Sequence, residues 1–186
     1  MRERLIYILK HYRFIQKMYT VIMGAFFRVL GRIIPTDENL VLISSFMGKG
    51  FSDSPKVLFE YLRSHPEYKK YRCIWAFEQP THFPGIEAVK IDTPAYFKTA
   101  LQAKYWITNT NIERGLKFKK KDQVYLNTWH GIALKYIGND CPGRKDYHFD
   151  TVNFLTVSGD YDEHVFKRAF NAREESFLRC GMPRNE

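Results

Sequence analysis

One segment of the chain places a histidine, two glycines and a lysine close together. It runs from Asn127 to Gly138, reads NTWHGIALKYIG, and directly follows the apolar residues 124–126. His130 can take up or release a proton near neutral pH. Lys135 offers a positive charge to an anion, and Gly131 lets a ligand approach the backbone closely. The pattern predicts a strand-to-loop junction that handles an anionic substrate, with His130 as its reactive group and Asn127 as a further candidate ligand.

A second segment, residues 44–53, has the composition of a loop that binds anions. It reads SSFMGKGFSD and combines glycines, hydroxyl groups and one lysine directly before a predicted helix. Backbone N–H groups at such a position favour phosphate, but the spacing matches neither a Walker A loop nor a GxGxxG fingerprint. A phosphate-binding loop and an ordinary glycine–serine turn are therefore equally good interpretations. The candidate ligands in this segment are Gly48, Lys49, Gly50, Ser52 and Asp53.

Other polar residues give weaker signals. Asn109 and Thr110 end a predicted strand and could line a polyol pocket, although a polar turn is the stronger interpretation. No HExxH, CxxC or paired-carboxylate pattern occurs, so we expect neither a protein-built metal site nor a cofactor. The cysteines are odd in number and far apart, which favours reduced thiols in a cytoplasmic setting. We expect all three to be buried or inert: Cys73, Cys141 and Cys180.

The elements that would position these segments alternate along the chain. Short apolar runs are separated by segments with helical spacing, a pattern typical of a Rossmann-like, doubly wound, mainly parallel α/β sheet. The predicted strands are 39–46, 71–77, 86–91, 105–109, 123–128, 152–157 and 176–180. The predicted helices are 55–63, with Asp53 or Ser54 as its cap, 94–103, which Thr93-Pro94 begins, and 160–170. Because ligands collect at the carboxyl ends of parallel strands, we expect four loops to share one rim: 46–54, 109–114, 129–140 and 158–160.

Residues 1–34 carry most of the net charge. They hold seven basic residues and one acid, a net +6 out of the +9 of the whole chain. A nucleic-acid-binding domain would more often carry its charge on the folded body, so we do not expect nucleic acid as a partner. Residues 4–34 contain no proline, and polar positions, with Gly24 counted among them, recur every three or four residues, which predicts a helix. Its basic face contains Lys10, Arg13, Lys17, Arg28 and Arg32.

The predicted N-terminal helix has an apolar side opposite its basic face. This side contains Ile8, Ile15, Ile22, Phe26, Val29 and Ile33. The longest uncharged run is ten residues, 18–27, whereas a helix that spans a bilayer needs about 20. We therefore expect an amphipathic helix that lies on a membrane surface with anionic lipids. The alternative is a helix that packs through its apolar side on the domain or on another subunit.

Three ordered segments resemble the CDP-glycerol glycerophosphotransferase family, whose members start or polymerise teichoic acids and related capsule polymers. Residues 127–138, NTWHGIALKYIG, are similar to the family pattern NxWHGTPLKxxG, with Ile-Ala in place of Thr-Pro. Residues 44–62, SSFMGKGFSDSPKVLFEYL, resemble the strand, glycine turn and Ser-Asp-x-Pro-Lys sequence of the family. Residues 180–186, CGMPRNE, resemble its Gly-x-Pro-Arg-Asn-Asp sequence. The resemblance covers residues 39–186.

The resemblance implies a GT-B architecture of two Rossmann-like domains with the active site between them. This chain would be an N-terminal helix, residues 1–34, and the acceptor-side domain, residues 39–186, and the donor-binding domain would lie outside it. In the family reaction, a hydroxyl group of a lipid-linked acceptor attacks the β-phosphate of CDP-glycerol or CDP-ribitol, and CMP leaves. His130 matches the proposed general base. We infer that Lys135 and residues 48–50 contact the anion.

The resemblance also has consequences for location and activity. The acceptor would be a lipid-linked glycan or polyol phosphate at the cytoplasmic face of the cell membrane, where the chain would bind peripherally. We expect the isolated chain to be inactive because the donor site would be missing. Two other functions stay open: a non-catalytic membrane-binding module that partners a separate chain of a split enzyme, and a nucleotide-sugar glycosyltransferase of the same fold.

Overall fold

A parallel sheet forms the centre of the computed structural model, which describes residues 12–144 and 147–185. Its strands are β1 (Asp37–Ser44), β2 (Arg72–Phe77), β3 (Ala88–Lys90), β4 (Ala103–Thr108), β5 (Val124–Asn127), β6 (Phe154–Val157) and β7 (Phe177–Arg179). They are ordered β3–β2–β1–β4–β5–β6–β7, and all neighbours are parallel. The predicted α/β fold class with a parallel, doubly wound sheet is confirmed.

The first strand lies inside the sheet because the chain builds the sheet outward in two directions. β1 pairs with β2 on one side and with β4 on the other. The connections that leave β1 and β4 therefore run toward opposite sides of the sheet, and the carboxyl edge between these two strands is the topological switch point. In doubly wound sheets this is the usual place for a ligand.

Four α-helices of the described residues pack on the sheet: α1 (Arg13–Ile33), α2 (Asp53–Ser64), α3 (Pro94–Gln102) and α4 (Asp160–Phe170). As predicted, Thr93 and Pro94 begin α3, and the Thr93 side chain accepts a hydrogen bond from the Tyr96 backbone N–H. The cap predicted for α2, at residue 53 or 54, is wrong. The residue at that position is Ser52, and its side chain makes no capping bond.

Apolar side chains of the strands alternate between the two faces of the sheet. On one face, Val41, Trp75 and Phe77 form a cluster that packs against residues of α2. On the other face, Leu42 and Trp106 belong to a larger cluster with residues of α1, α3 and α4. Because the central strands are covered on both sides, they are continuous apolar runs rather than alternating ones.

The N-terminal helix α1 packs on the domain through a face that contains two glycines. Gly24 and Gly31 are buried, and the Phe27 ring between them stacks on Phe97 with centroids 4.4 Å apart. A Cβ atom at residue 24 would overlap the carbonyl oxygen of Leu116, so the close approach requires glycine. The sequence pattern had placed Gly24 among the polar positions, which is wrong because the residue lies against the domain.

Most of the described apolar side of this helix is exposed, although Ile15 is half-buried; Ile8 lies outside the described residues. Ile22, Phe26, Val29 and Ile33 are each more than half exposed. The described basic side chains Lys17, Arg28 and Arg32 are also exposed. Lys10 lies outside the described residues, and so does the side chain of Arg13. The helix thus packs on the domain through its glycine face and not through the apolar side named in the packing alternative, and contact of that apolar side with a membrane stays a prediction.

No helix of the described residues is both long enough and apolar enough to cross a membrane.

The three cysteines differ in their surroundings. Cys73 is buried in β2, and burial raises the pKa of its thiol to about 11, so the thiolate that reacts with oxidants is scarce at neutral pH. Cys141 is half-buried and Cys180 is exposed. The expectation of a buried or inert thiol is therefore confirmed for Cys73, and for Cys141 and Cys180 it stays a prediction.

Candidate functional site

Three loops meet at the carboxyl edge of β1, β4 and β5. The backbone N–H of Phe46 donates to Oδ1 of Asn109 at 2.8 Å, and that of Met47 donates to Oγ1 of Thr110 at 3.2 Å. Nδ1 of His130 lies 2.8 Å from the carbonyl oxygen of Asn109. The loops after these three strands are therefore bonded directly to one another, as the sequence predicted for a common rim.

The turn that presents His130 is built by the residues before it. Asn127 is fully buried, its Oδ1 accepts the Trp129 N–H at 2.9 Å, and its Nδ2 donates to the Thr110 carbonyl at 2.7 Å. Trp129 has a left-handed backbone, with φ of 49°, and its ring packs on Phe170 with centroids 4.5 Å apart. The amide of Asn127 thus shapes the turn, and its contact with a substrate stays a prediction.

His130 turns one ring nitrogen toward the protein and leaves the other open. A carbonyl oxygen can only accept a hydrogen bond, so Nδ1 of His130 is the donor to Asn109. In the neutral ring the proton is then on Nδ1, and Nε2 carries a lone pair. Nε2 has no hydrogen-bond partner in residues 12–144 and 147–185. A histidine in this state can accept a proton from a hydroxyl group that approaches Nε2.

An ion pair beside His130, with a buried carboxylate, was not predicted from the sequence. The Asp53 side chain is 3% exposed. It accepts from Nδ2 of Asn109 at 2.5 Å and from Nη1 of Arg184 at 2.6 Å. The same Nη1 lies 3.2 Å from the carbonyl oxygen of His130. Asp53, predicted as a substrate ligand, therefore already has two donors from the protein.

Sequence reasoning missed the importance of Asn109 and Arg184. Asn109 was interpreted as part of a polar turn, but it is fully buried and contacts all three loops. Arg184 belongs to the C-terminal segment that carried part of the family resemblance, and this was the available signal. Its partner, Asp53, is 131 residues away in the sequence, a distance at which local patterns give no information.

The glycine loop after β1 uses much of its backbone within the protein. Gly48 has φ of 89°, its N–H donates to Ser45 at 2.9 Å, and its carbonyl oxygen accepts the Glu78 N–H at 2.8 Å. A Cβ atom at residue 48 would lie 2.9 Å from the backbone nitrogen of Glu78. Glycine is therefore required here for close packing on the end of β2, whatever ligand the loop binds.

The other predicted ligands of this loop are nearer to the surface. Lys49 is exposed, and Gly50 and Ser52 are half-buried. Oγ of Ser52 lies 3.5 Å from Oγ of Ser45. The structure brings this loop next to His130, since the Phe46 and His130 rings are 5.8 Å apart. Contact of these residues with a phosphate stays a prediction.

Lys135 lies in different surroundings from His130. It is exposed and lines a cavity of about 450 Å³ between the loop after β5 and helix α4. The Tyr161 hydroxyl fastens this loop to α4 by donating to the Ala133 carbonyl at 2.6 Å. The charged residues around the cavity are Lys135, Asp140 and Arg168, of which the last two form an ion pair at 2.8 Å. If Lys135 binds an anion, it would do so in this cavity.

The residues just after His130 leave room beside it. A Cβ atom at Gly131 would have no other heavy atom within 4 Å. Ile132 is 59% exposed, whereas Ala133 is buried. The Ile-Ala pair that replaces Thr-Pro of the family pattern thus places one apolar side chain on the surface next to the candidate base.

The comparison with protein families supports the resemblance. Residues 26–186 match the model of the family described as CDP-glycerol:poly(glycerophosphate) glycerophosphotransferase. A teichoic acid poly(glycerol phosphate) polymerase of Staphylococcus epidermidis is 34% identical over 162 residues, which cover 78% of this chain and 22% of the relative. A teichoic acid glycerol-phosphate transferase of Staphylococcus aureus is 30% identical over 177 residues, with coverage of 86% and 44%.

Solved structures give the same result for the fold. The wall teichoic acid polymerase TagF matches with a TM-score of 0.74 and 28% identity, covering 100% of this chain and 48% of that chain. A variant of TagF soaked with CDPG matches with a TM-score of 0.72 and 30% identity, with coverage of 86% and 44%. The chain therefore spans less than half the length of these relatives.

Proposed function

The chain belongs to the CDP-glycerol:poly(glycerophosphate) glycerophosphotransferase family, and we propose that it is the acceptor-side half of a transferase that acts in teichoic acid or capsule polymer synthesis. The donor would be CDP-glycerol or CDP-ribitol, and the acceptor a hydroxyl group of a lipid-linked glycan or polyol phosphate. The observation that carries this proposal is the state of His130. Its Nδ1 is bonded to Asn109, and its Nε2 has no hydrogen-bond partner in residues 12–144 and 147–185.

The proposed chemistry needs one proton acceptor on this side of the cleft. Nε2 of His130 takes the proton of the acceptor hydroxyl as its oxygen attacks the β-phosphorus of the donor. The bond from that phosphorus to the oxygen of CMP breaks, and CMP leaves with the electron pair. Lys49 and the loop of residues 48–50 would neutralise charge on the phosphoryl oxygens. Most donor contacts would come from a second domain, which this chain does not include.

Release of CMP tests the proposal. We expect turnover of CDP-glycerol or CDP-ribitol by a form that continues beyond residue 186 into a donor-binding domain, or by this chain together with a separate donor-binding partner. The isolated chain should be inactive with the same donor and lipid acceptor. Turnover of a UDP-sugar by the longer form, with none of either CDP-alditol, would instead identify a nucleotide-sugar glycosyltransferase.

We also propose that α1 holds the domain on the cytoplasmic face of the membrane. The exposed residues of its apolar side and the basic residues flanking them fit an interface between water and anionic lipid. The helix lies along the domain, because Gly24 approaches Leu116 and Nζ of Lys120 donates to the Ile34 carbonyl at 3.0 Å. We propose that a membrane-bound α1 would bring the domain close to a lipid-linked acceptor.

Vesicle binding tests the role of α1. Each basic residue near an anionic surface contributes about 1 kcal/mol, so the double variant Lys17→Gln/Arg32→Gln should bind phosphatidylglycerol vesicles about 30-fold more weakly. The double variant Ile22→Glu/Val29→Glu should lose at least as much, because two apolar side chains no longer enter the interface. All four positions are exposed, so the fold should survive.

A control for this experiment lies on another helix. Tyr61 of α2 is 49% exposed, and Tyr61→Glu should leave co-sedimentation with the vesicles unchanged. Unchanged binding of the Ile22→Glu/Val29→Glu variant would rule out α1 as the membrane-binding element.

A further inference from the structure

We propose that Asn109 is a positioning residue that keeps the proton of His130 on Nδ1, and that the Asp53–Arg184 ion pair holds Asn109 in place. The four residues form a closed ring of hydrogen bonds. His130 donates to the Asn109 carbonyl, Asn109 donates to Asp53, and Arg184 donates both to Asp53 and to the His130 carbonyl. The catalytic meaning of this ring depends on the proposed function, but the position of the proton is a property of the chain alone.

The orientation of the Asn109 amide is fixed by its partners. Its Oδ1 accepts the backbone N–H of Phe46, and its Nδ2 donates to the carboxylate of Asp53. A flipped amide would turn its NH₂ group toward a donor and its oxygen toward a carboxylate, and both contacts would be repulsive. Since Asn109 is fully buried, water cannot replace these partners. The side chain therefore ties the end of β4 to the loop after β1 and to the start of α2.

The backbone carbonyl of Asn109 is held by this arrangement in front of His130. If the proton of the ring moved to Nε2, the lone pair of Nδ1 would face that carbonyl oxygen at 2.8 Å. Two acceptors at hydrogen-bond distance repel each other, and the carbonyl would lose its donor. The rigid carbonyl thus selects the form of the ring in which Nε2 can accept a proton.

The ion pair completes the ring from the other side. The Asp53 side chain is 3% exposed and that of Arg184 is 35% exposed. The guanidinium group that balances the buried carboxylate therefore lies partly at the surface. Each oxygen of Asp53 has its own donor, Asn109 for Oδ2 and Arg184 for Oδ1. Removal of either donor would leave a buried carboxylate underbonded, and the start of α2 would shift relative to Asn109.

Nuclear magnetic resonance of the 186-residue chain labelled with ¹⁵N-histidine tests this proposal without any assay of turnover. At about pH 8.5, well above the usual histidine pKa, the two ring nitrogens of each neutral histidine show which one carries the proton. The signals of His130 are those missing from the His130→Gln spectrum. We expect His130 to be protonated on Nδ1 in the natural sequence. In Asn109→Ala the ratio of the Nδ1–H form to the Nε2–H form should fall about tenfold.

Thr110→Val is the matched control. It removes the hydroxyl that accepts the Met47 N–H, so it weakens the same contact between loops without touching the Asn109 amide. The Nδ1–H form should persist in this variant. Should Asn109→Ala not fold, Asp53→Asn takes its place. The asparagine side chain at position 53 would have one oxygen and one NH₂ group, so its NH₂ group would face either Asn109 or Arg184, both of which are donors.

Two outcomes would overturn the proposal: an Nε2–H form of His130 in the natural sequence, or an unchanged Nδ1–H form in both Asn109→Ala and Asp53→Asn. Failure of the proposed function gives a different result. In that case His130 variants would keep full turnover in the longer form, while the tautomer and its response to the Asn109 substitution would be as stated here.

Discussion

Replacement of His130 by alanine is expected to lower kcat about 10²- to 10⁴-fold in a form of the enzyme that also contains the donor-binding domain. This is the range that general-base catalysis contributes. The acceptor hydroxyl would have to lose its proton to water, because Nε2 of His130 is the open acceptor at the rim. The KM for the CDP-alditol should change little, since the donor is expected to bind mainly to the other domain. The measurement is initial CMP release at saturating donor and acceptor.

A matched histidine and a chemical rescue make this test specific. His82 is exposed in the short helix of residues 80–82, and His82→Ala should keep the turnover of the natural sequence. The His130 ring is half-buried at the rim, so its removal should leave a gap that solvent imidazole can enter. If the ring acts as a base, added imidazole should raise the kcat of the His130→Ala variant at least about tenfold. A His130→Ala enzyme with nearly full turnover would exclude this histidine from the chemistry.

The fold and the place of the site followed from the sequence because both depend on local patterns. Apolar runs such as residues 39–46 predict buried strands, and the helical segments between them predict parallel pairing. Parallel pairing in turn places the loops after β1, β4 and β5 at one edge. His130 was proposed in the same way, since it closely follows a strand and precedes two glycines and a lysine.

The partners of the site residues did not follow from the sequence. The contacts of Asn109 come from the loop at residue 46, from Asp53 and from His130, and no local pattern specifies such distant pairs. Likewise, Tyr161 of α4 fastens the loop between His130 and Lys135 by a hydrogen bond to the Ala133 carbonyl, a contact between residues 28 positions apart that no local pattern predicts. A helical wheel also could not show that Gly24 faces the domain, because glycine has no side chain to report a preference.

Gly138→Ala is expected to destabilise the chain strongly, and the structure provides a matched glycine only seven residues away. Gly138 is buried with φ of 53°. A Cβ atom there would overlap the carbonyl oxygen of Ala169 and lie 2.8 Å from ring atoms of Phe170. Overpacking costs about 1–3 kcal/mol, and a left-handed backbone at a residue other than glycine costs about 1–3 kcal/mol more. We therefore expect a loss of about 3 kcal/mol or more in the free energy of unfolding.

Gly131→Ala should behave in the opposite way. The backbone of Gly131 lies outside the left-handed region, and a Cβ atom there would meet no other heavy atom within 4 Å. The free energy of unfolding of this variant should therefore stay within about 0.5 kcal/mol of that of the natural sequence. Urea unfolding followed by circular dichroism gives both values, and equal losses for the two variants would contradict the packing of Gly138 on α4. The pair also separates folding from function. If the space beside His130 receives the acceptor, Gly131→Ala should lower turnover in the longer form even though the protein remains stable.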